Sequence, residues 1–297
     1  MARTTVSTTV ERIRRQLSSG YRNELNLLNG AISDTDTTLS VLLPITSSVT
    51  PGALLFIGTE ALRVVSASAA NGTVEVLRGQ QDSIAAAHAD GDEVLINPRF
   101  SPLDIFDAMQ DEIASYGPQL FRVDSQEFTT ADADDTLELP LSWNDCYGVL
   151  DVRRQWSESG GVTSWPRVNC RFQRAGAAAV SGKPILRFID TMRAGTVLVQ
   201  VARPYVLTNF ALTSDLLTDV LLPESMLDVL AMGTKLRVLV DNENGRTART
   251  AQDEPRRAEE TPVGATVQPY QFNNALYRNR RQEEVNKLRA LWPMQVM

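Results

Sequence analysis

The chain has 297 residues, 43% hydrophobic and 22% charged, with a formal net charge of −7. That length supports one large domain or two to three modest ones, and the acidic balance argues against a general nucleic-acid binder with a basic footprint. No apolar run approaches the roughly 18–20 residues of a membrane span, and the opening MARTTVSTTVERIRRQL lacks the apolar segment of a secretory signal. The expectation is a protein made and used in solution, with no membrane partner.

In segment 1–30, Val6, Val10, Ile13, Arg14 and Leu17 recur at helical spacing and stop before Ser18-Ser19-Gly20, which predicts a helix. Segment 31–98 reads as a small β module. Phe56, Ile57, Leu62, Val64 and Val65 are strand-type apolar residues punctuated by Gly52 and Gly58, and Asn71-Gly72 marks a tight hairpin. A strand over Thr73–Leu77 leaves through Arg78-Gly79, and His88-Ala89-Asp90-Gly91 leads into a last strand, Asp92–Ile96.

Segment 99–118 carries the clearest helix. Ser101 is placed to cap it, Pro102 to open it, and Asp104 to complement its dipole. Ile105, Phe106, Met109, Ile113 and Tyr116 form its apolar stripe, and Gly117-Pro118 stops it.

Six partly alternating runs follow within 119–210, from FRVDSQEFT to TVLVQVARPYVL, and predict a β-sandwich or jelly-roll-like domain. In 211–245, Pro223 opens a predicted helix carrying Met226, Leu227, Leu230, Leu236 and Leu239, which Asn242–Gly245 ends. Ala231 and Gly233 would permit close packing on it. Segment 246–269 lacks periodicity and reads as an extended arm, and 270–297 as a final helix over about Asn273–Leu291 with a short tail.

The charge is unevenly distributed. Residues 1–24 hold five arginines against two glutamates, and residues 270–297 hold five basic residues against two glutamates, a net +3 at each end. The body between them therefore carries −13. Either the termini meet an acidic partner surface or the helix ends are simply charged. All but three of the 29 basic residues are arginine, whose planar fork suits permanent interfaces.

Catalytic chemistry is sparse. His88 is the sole histidine, which excludes multi-histidine metal sites, and its plainest role is to cap the turn before Gly91. Asp132, Asp134 and Asp135, like Asp90, Asp92 and Glu93, sit in predicted turns where Asp bonds local backbone. Cys146 and Cys170 lack metal-type spacing; buried free thiols and a disulfide both remain open. Trp143, Trp156 and Trp165 would either fill a core or line a carbohydrate-binding sheet. No catalytic residues, cofactor or metal are expected, and the chain reads as a non-enzyme.

The "IGTE" strand with "V.RG" and "H..G..V" over Gly52–Val94 resembles a β module of structural proteins of tailed bacteriophages. The segments LPESMLDVLAMGTKLRVLVDNENGRTARTA and YQFNNALYRNRRQEEVNKLRALWP resemble the helices of head-to-tail adaptor (connector) proteins of those phages. The resemblance implies an α+β fold: a helical adaptor core, or bundle, with two inserted β regions. It implies a virion neck protein forming a homo-oligomeric ring of about twelve subunits under the portal. That ring extends the channel for double-stranded DNA, which passes without sequence recognition, and offers a platform to tail and stopper proteins. Tyr270, Phe272, Leu276, Tyr277, Arg280, Arg281, Leu288, Leu291 and Trp292 are the candidate portal or neighbour contacts; the other reading packs them within the subunit's own bundle. The alternative function is a tail or baseplate protein with a glycan-binding β domain.

Overall fold

The computed structural model describes residues 4–18, 23–157, 163–174, 182–250 and 267–292. The fold is α+β, with antiparallel strand pairings throughout the described sheets. The chain divides into two compact units, one of Met1–Glu112, Thr208–Val220 and Leu227–Tyr277, the other of Ile113–Leu207, Leu221–Met226 and Arg278–Met297.

The first unit opens with α1 (Val6–Leu17), capped by the Thr5 side chain, which accepts from the Thr8 amide. The helix ends where the sequence predicts, and Val6, Val10 and Ile13 are buried. Six strands follow: β1 (Glu24–Leu27), β2 (Thr38–Ser40), β3 (Leu54–Ile57), β4 (Glu60–Ser68), β5 (Thr73–Gln80) and β6 (Glu93–Ile96). They form one sheet in the order β1-β6-β3-β4-β5-β2. Its edges meet, with Asn29 N–H donating to Ser40 O (2.8 Å) and Leu42 N–H to Leu27 O (2.9 Å), so the sheet curls back on itself. Leu28, Leu39, Leu55, Ile57, Leu62, Val74, Val76, Val94 and Ile96 fill the interior.

β1 lies in a segment read as part of the N-terminal helical region, and so corrects that boundary. NELNLL holds only four strand residues, too few for its alternation to stand out. β5 also runs past Leu77. Gly79 adopts φ +60° at a register shift between β4 and β5, so the strand bulges there instead of ending. The Asn71-Gly72 hairpin forms as read, with Gly72 at φ +63°.

α2 (Pro102–Ala114) begins on Ser101, whose Oγ accepts from the Asp104 amide at 2.9 Å. In the second unit come β7 (Arg122–Thr130), β8 (Asp134–Glu138), β9 (Gly148–Arg154), the short hairpin β10 (Trp156–Ser157) and β11 (Thr163–Ser164), then β12 (Cys170–Gln173), β13 (Ile185–Met192) and β14 (Gly195–Arg203). They pair as β7-β14-β9 and β12-β13-β8 around a core containing Leu139, Trp143, Cys146, Val152, Leu186, Phe188 and Val199. The six predicted runs each yield a strand. However, Val168 N–H donates to Val152 O (2.8 Å) and Arg154 N–H to Pro166 O (3.0 Å), linking β9 to the segment that enters β12. The domain is therefore a curled half-barrel rather than a sandwich of two independent sheets.

α3 (Leu227–Thr250) follows a short 3-10 turn at Glu224–Met226 and packs against α1 in the first unit. It runs through Asn242–Gly245, which were expected to end it. Each of those residues weakens a helix by no more than about 1 kcal/mol, too little to stop one by itself. Of the predicted arm 246–269, residues 246–250 belong to α3, 267–269 begin α4 (Val267–Leu291), and 251–266 lie outside the described residues. α4 starts earlier than predicted because Pro269 falls in its first turn, where a missing N–H breaks no intrahelical bond.

Candidate functional site

The candidate contact residues all lie on α4 except Trp292, which directly follows it, and the structure separates them into two groups. One stripe is tied to the chain's own body. In the first unit, Tyr277 donates from its hydroxyl to Oε1 of Glu112, a carboxylate only 2% exposed on α2. The other Glu112 oxygen accepts from Arg237 Nε of α3 at 2.7 Å. Gly233 makes this possible, since a Cβ there would collide with the Glu112 carboxyl. The close approach expected of Gly233 is thus filled by an acidic side chain.

In the second unit, Arg280 NH1 and Lys287 Nζ each lie 2.7 Å from Glu284 Oε1, and Ser225 Oγ donates to Oε2 at 3.0 Å. Burial alone would raise the Glu284 carboxyl; hydrogen bonds from Lys287, Ser225 and Arg280 outweigh it and hold the group below its ordinary value. Arg281 donates to Ser115 O at 3.0 Å, and its guanidinium lies 5.9 Å from the Tyr116 ring centroid. Leu288 and Trp292 pack on Phe121, Leu150 and Ala202.

The other group faces water. Phe272 is 70% exposed, Leu276 48% and Leu291 73%, while Tyr270 is half-buried. Phe272 and Leu276 stand one turn apart on the same face of the helix.

The residues of the β-module motif form a buried structural knot. Arg78 grips Glu60 with two nitrogens, Nε at 2.6 Å and NH2 at 2.8 Å, and also donates to the carbonyls of Ser33, Asp36 and Ala86. His88 Nε2 lies 2.7 Å from Glu60 Oε2, and the Ala86 amide donates to that oxygen at 3.2 Å. Burial pushes the Glu60 carboxyl up, but the bonds from Arg78, His88 and Ala86 prevail and hold it low. Glu60 of "IGTE", Arg78 before Gly79 and the lone histidine His88 thus tie the loop after β5 to the start of β4. Their junction leaves no periodic signal in the sequence, because Glu60 and His88 are 28 positions apart.

The remaining candidates have structural roles, and Asp132 and Asp90 bond backbone far away in sequence. Asp132 and Asp134 accept from the amides of Ala194 (2.8 Å) and Ala131 (2.7 Å), and Asp90 and Asp92 from Gly30 (2.7 Å) and Ala89 (2.9 Å). No cluster of three potential metal ligands occurs among the described residues. Cys146 and Cys170 are buried free thiols, each pushed up to about 11 chiefly by burial. Trp143 is in the core, edge-on to Phe128. Trp156 is exposed beneath Arg154 and Trp165 is half-buried. Trp156 pairs with Ser164, so strand alternation sends Trp156 and Trp165 to opposite faces of their hairpin. The three indoles therefore share no exposed sheet. No described helix is long and apolar enough to cross a membrane.

No protein-family model matches the sequence, and no curated protein matches it. Among solved structures the chain is similar to one described as the neck of an empty GTA particle computed with C6 symmetry, at 12% identity and a TM-score of 0.22. The match covers 46% of this chain and 66% of that one, just under two thirds of its length. The likeness is weak and reaches no further than that description.

Proposed function

We propose that the protein is a structural virion component, a head-to-tail adaptor without enzymatic activity. It assembles as a ring of about twelve subunits beneath the portal, extends the DNA channel and carries the tail or stopper proteins. Its helices serve as the adaptor core and its two β regions as elaborations of it. The observation that carries this reading is the apolar pair Phe272 and Leu276, exposed on α4 while the adjacent Tyr277 is bonded to Glu112. An anchored helix that offers aromatic and aliphatic side chains to water supplies the kind of group that dominates protein interfaces. The acidic body fits a conduit that repels the DNA backbone and lets it slide.

The test is binding to portal rings of the same particle by surface plasmon resonance. Phe272→Glu with Leu276→Glu is expected to weaken binding at least about a hundredfold with the far-UV circular dichroism unchanged, as for loss of two interface anchors. Unaltered affinity in a folded variant overturns the assignment of α4 to the portal contact.

A further inference from the structure

The outer face of the β12-β13 ladder in the second unit carries two arginines without an ion pair among the described residues. In the run from Arg167 to Gln173, Val168, Cys170 and Phe172 point into the core, so Arg167, Asn169, Arg171 and Gln173 point out. Across the ladder, Leu186 and Phe188 are likewise internal and Arg187 faces out, directly opposite Arg171. Both arginines are exposed, and neither makes an ion pair or hydrogen bond among the described residues. Like charges directly opposite on a sheet, with Cβ atoms about 5 Å apart, destabilise it. Arg167 sits roughly 13 Å further along the strand, with its Nε 3.2 Å from the Asp151 carboxylate.

The first unit carries the complementary defect. Asp104, Asp107 and Asp111 lie at i, i+3 and i+7 on the exposed face of α2, spanning roughly 10 Å of helix, and none makes an ion pair among the described residues. Burial, then the charges of Asp104 and Asp111, raises the Asp107 carboxyl above its ordinary value. Two self-repelling clusters of opposite sign therefore sit on different units of one chain.

We propose that the arginine face of one copy receives the α2 carboxylate stripe of a second copy, in a head-to-tail contact that leaves each subunit one donor and one acceptor surface. Such a heterologous contact closes into a ring when its rotation permits. The inference rests on the ring reading above and names the surfaces that build it. Double-stranded DNA is the competing occupant of an arginine face. The stripe of three carboxylates without ion pairs among the described residues, opposite in sign to the arginine face, favours the second copy.

The test uses the full-length protein with portal rings present, read by negative-stain electron microscopy and sedimentation velocity. One variant carries Arg171→Glu and Arg187→Glu, another Asp107→Arg and Asp111→Arg. Each alone is expected to raise the concentration needed for assembly about tenfold or more, because like charges then face each other. Mixing the two variants should restore rings, since every contact then joins opposite charges. Wild-type assembly should weaken as salt rises. Rings that persist in both variants overturn the pairing while leaving the ring reading intact. So does failure of the mixture to assemble from two folded variants. Loss of DNA retention in the arginine variant, with its rings intact, assigns that face to DNA and also overturns the pairing. Wild-type protein that never rings, with or without portal, overturns the ring reading itself.

Discussion

Replacing Arg78 by alanine isolates the energetics of the first unit. Arg78 is 7% exposed and Glu60 2%, and the guanidinium holds the carboxylate through two short contacts. Alanine strands a buried carboxylate beside His88 and removes the donor to the carbonyls of Ser33, Asp36 and Ala86. Breaking a buried ion pair from one side costs about 3–5 kcal/mol. That is a large share of the 5–15 kcal/mol typical of a whole domain. Arg78→Lys should recover only part of the loss, because an ammonium cannot reproduce the two-nitrogen grip. The assay is urea unfolding followed by far-UV circular dichroism, with hydrogen exchange locating the weakened region. Peptides covering residues 78–96 should lose protection first. The tryptophans Trp143, Trp156, Trp165 and Trp292 all lie in the second unit, so their fluorescence gives a separate record of that unit. An Arg78→Ala destabilisation under about 1 kcal/mol would refute the reasoning, as it would mean that the pair is solvated in solution.

Gly233→Ala should destabilise by about 1–3 kcal/mol, the cost of overpacking, although alanine is the better helix former by about 1 kcal/mol; thermal melting reads the sign. The cause is the collision with the Glu112 carboxyl. The folded pKa of Glu60 is depressed, so its stabilisation is complete above the unfolded carboxylate value of about 4.3 and is lost as pH falls through the lower folded value. The stability gap between wild type and Glu60→Gln, measured by urea unfolding from pH 7 to pH 3, should accordingly narrow below about pH 4. Cys146 and Cys170, with thiols pushed up to about 11, should resist alkylation at pH 8 until urea unfolds the second unit; mass spectrometry of the alkylated protein checks this.

The sequence was most legible where local rules act alone. Ser101 capping α2, the Asn71-Gly72 hairpin and the end of α1 are each set by a few adjacent residues, and all appear as read. Boundaries failed where a usual breaker met a permissive context: Gly79 bulged within β5, and Asn242–Gly245 continued α3. Of the candidate contacts, the composition of α4 was plain, but its division into a bonded stripe and an exposed pair was not. That division depends on Glu112 and Ser225, which lie far away in sequence. Glu112 was the available signal: it is a carboxylate three residues beyond Met109, on the apolar side of α2. The unpaired charges on α2 and on the half-barrel could not be read from composition, because an ion pair becomes visible only when strand register and helix face are known.

The adaptor claim is tested most directly by electron microscopy of the purified protein mixed with portal rings of its own particle. The account predicts a second ring of about twelve subunits stacked coaxially beneath the portal, with its channel continuous with the portal's. Portal rings left bare, with the protein as free monomers, trimers or fibres, would contradict it.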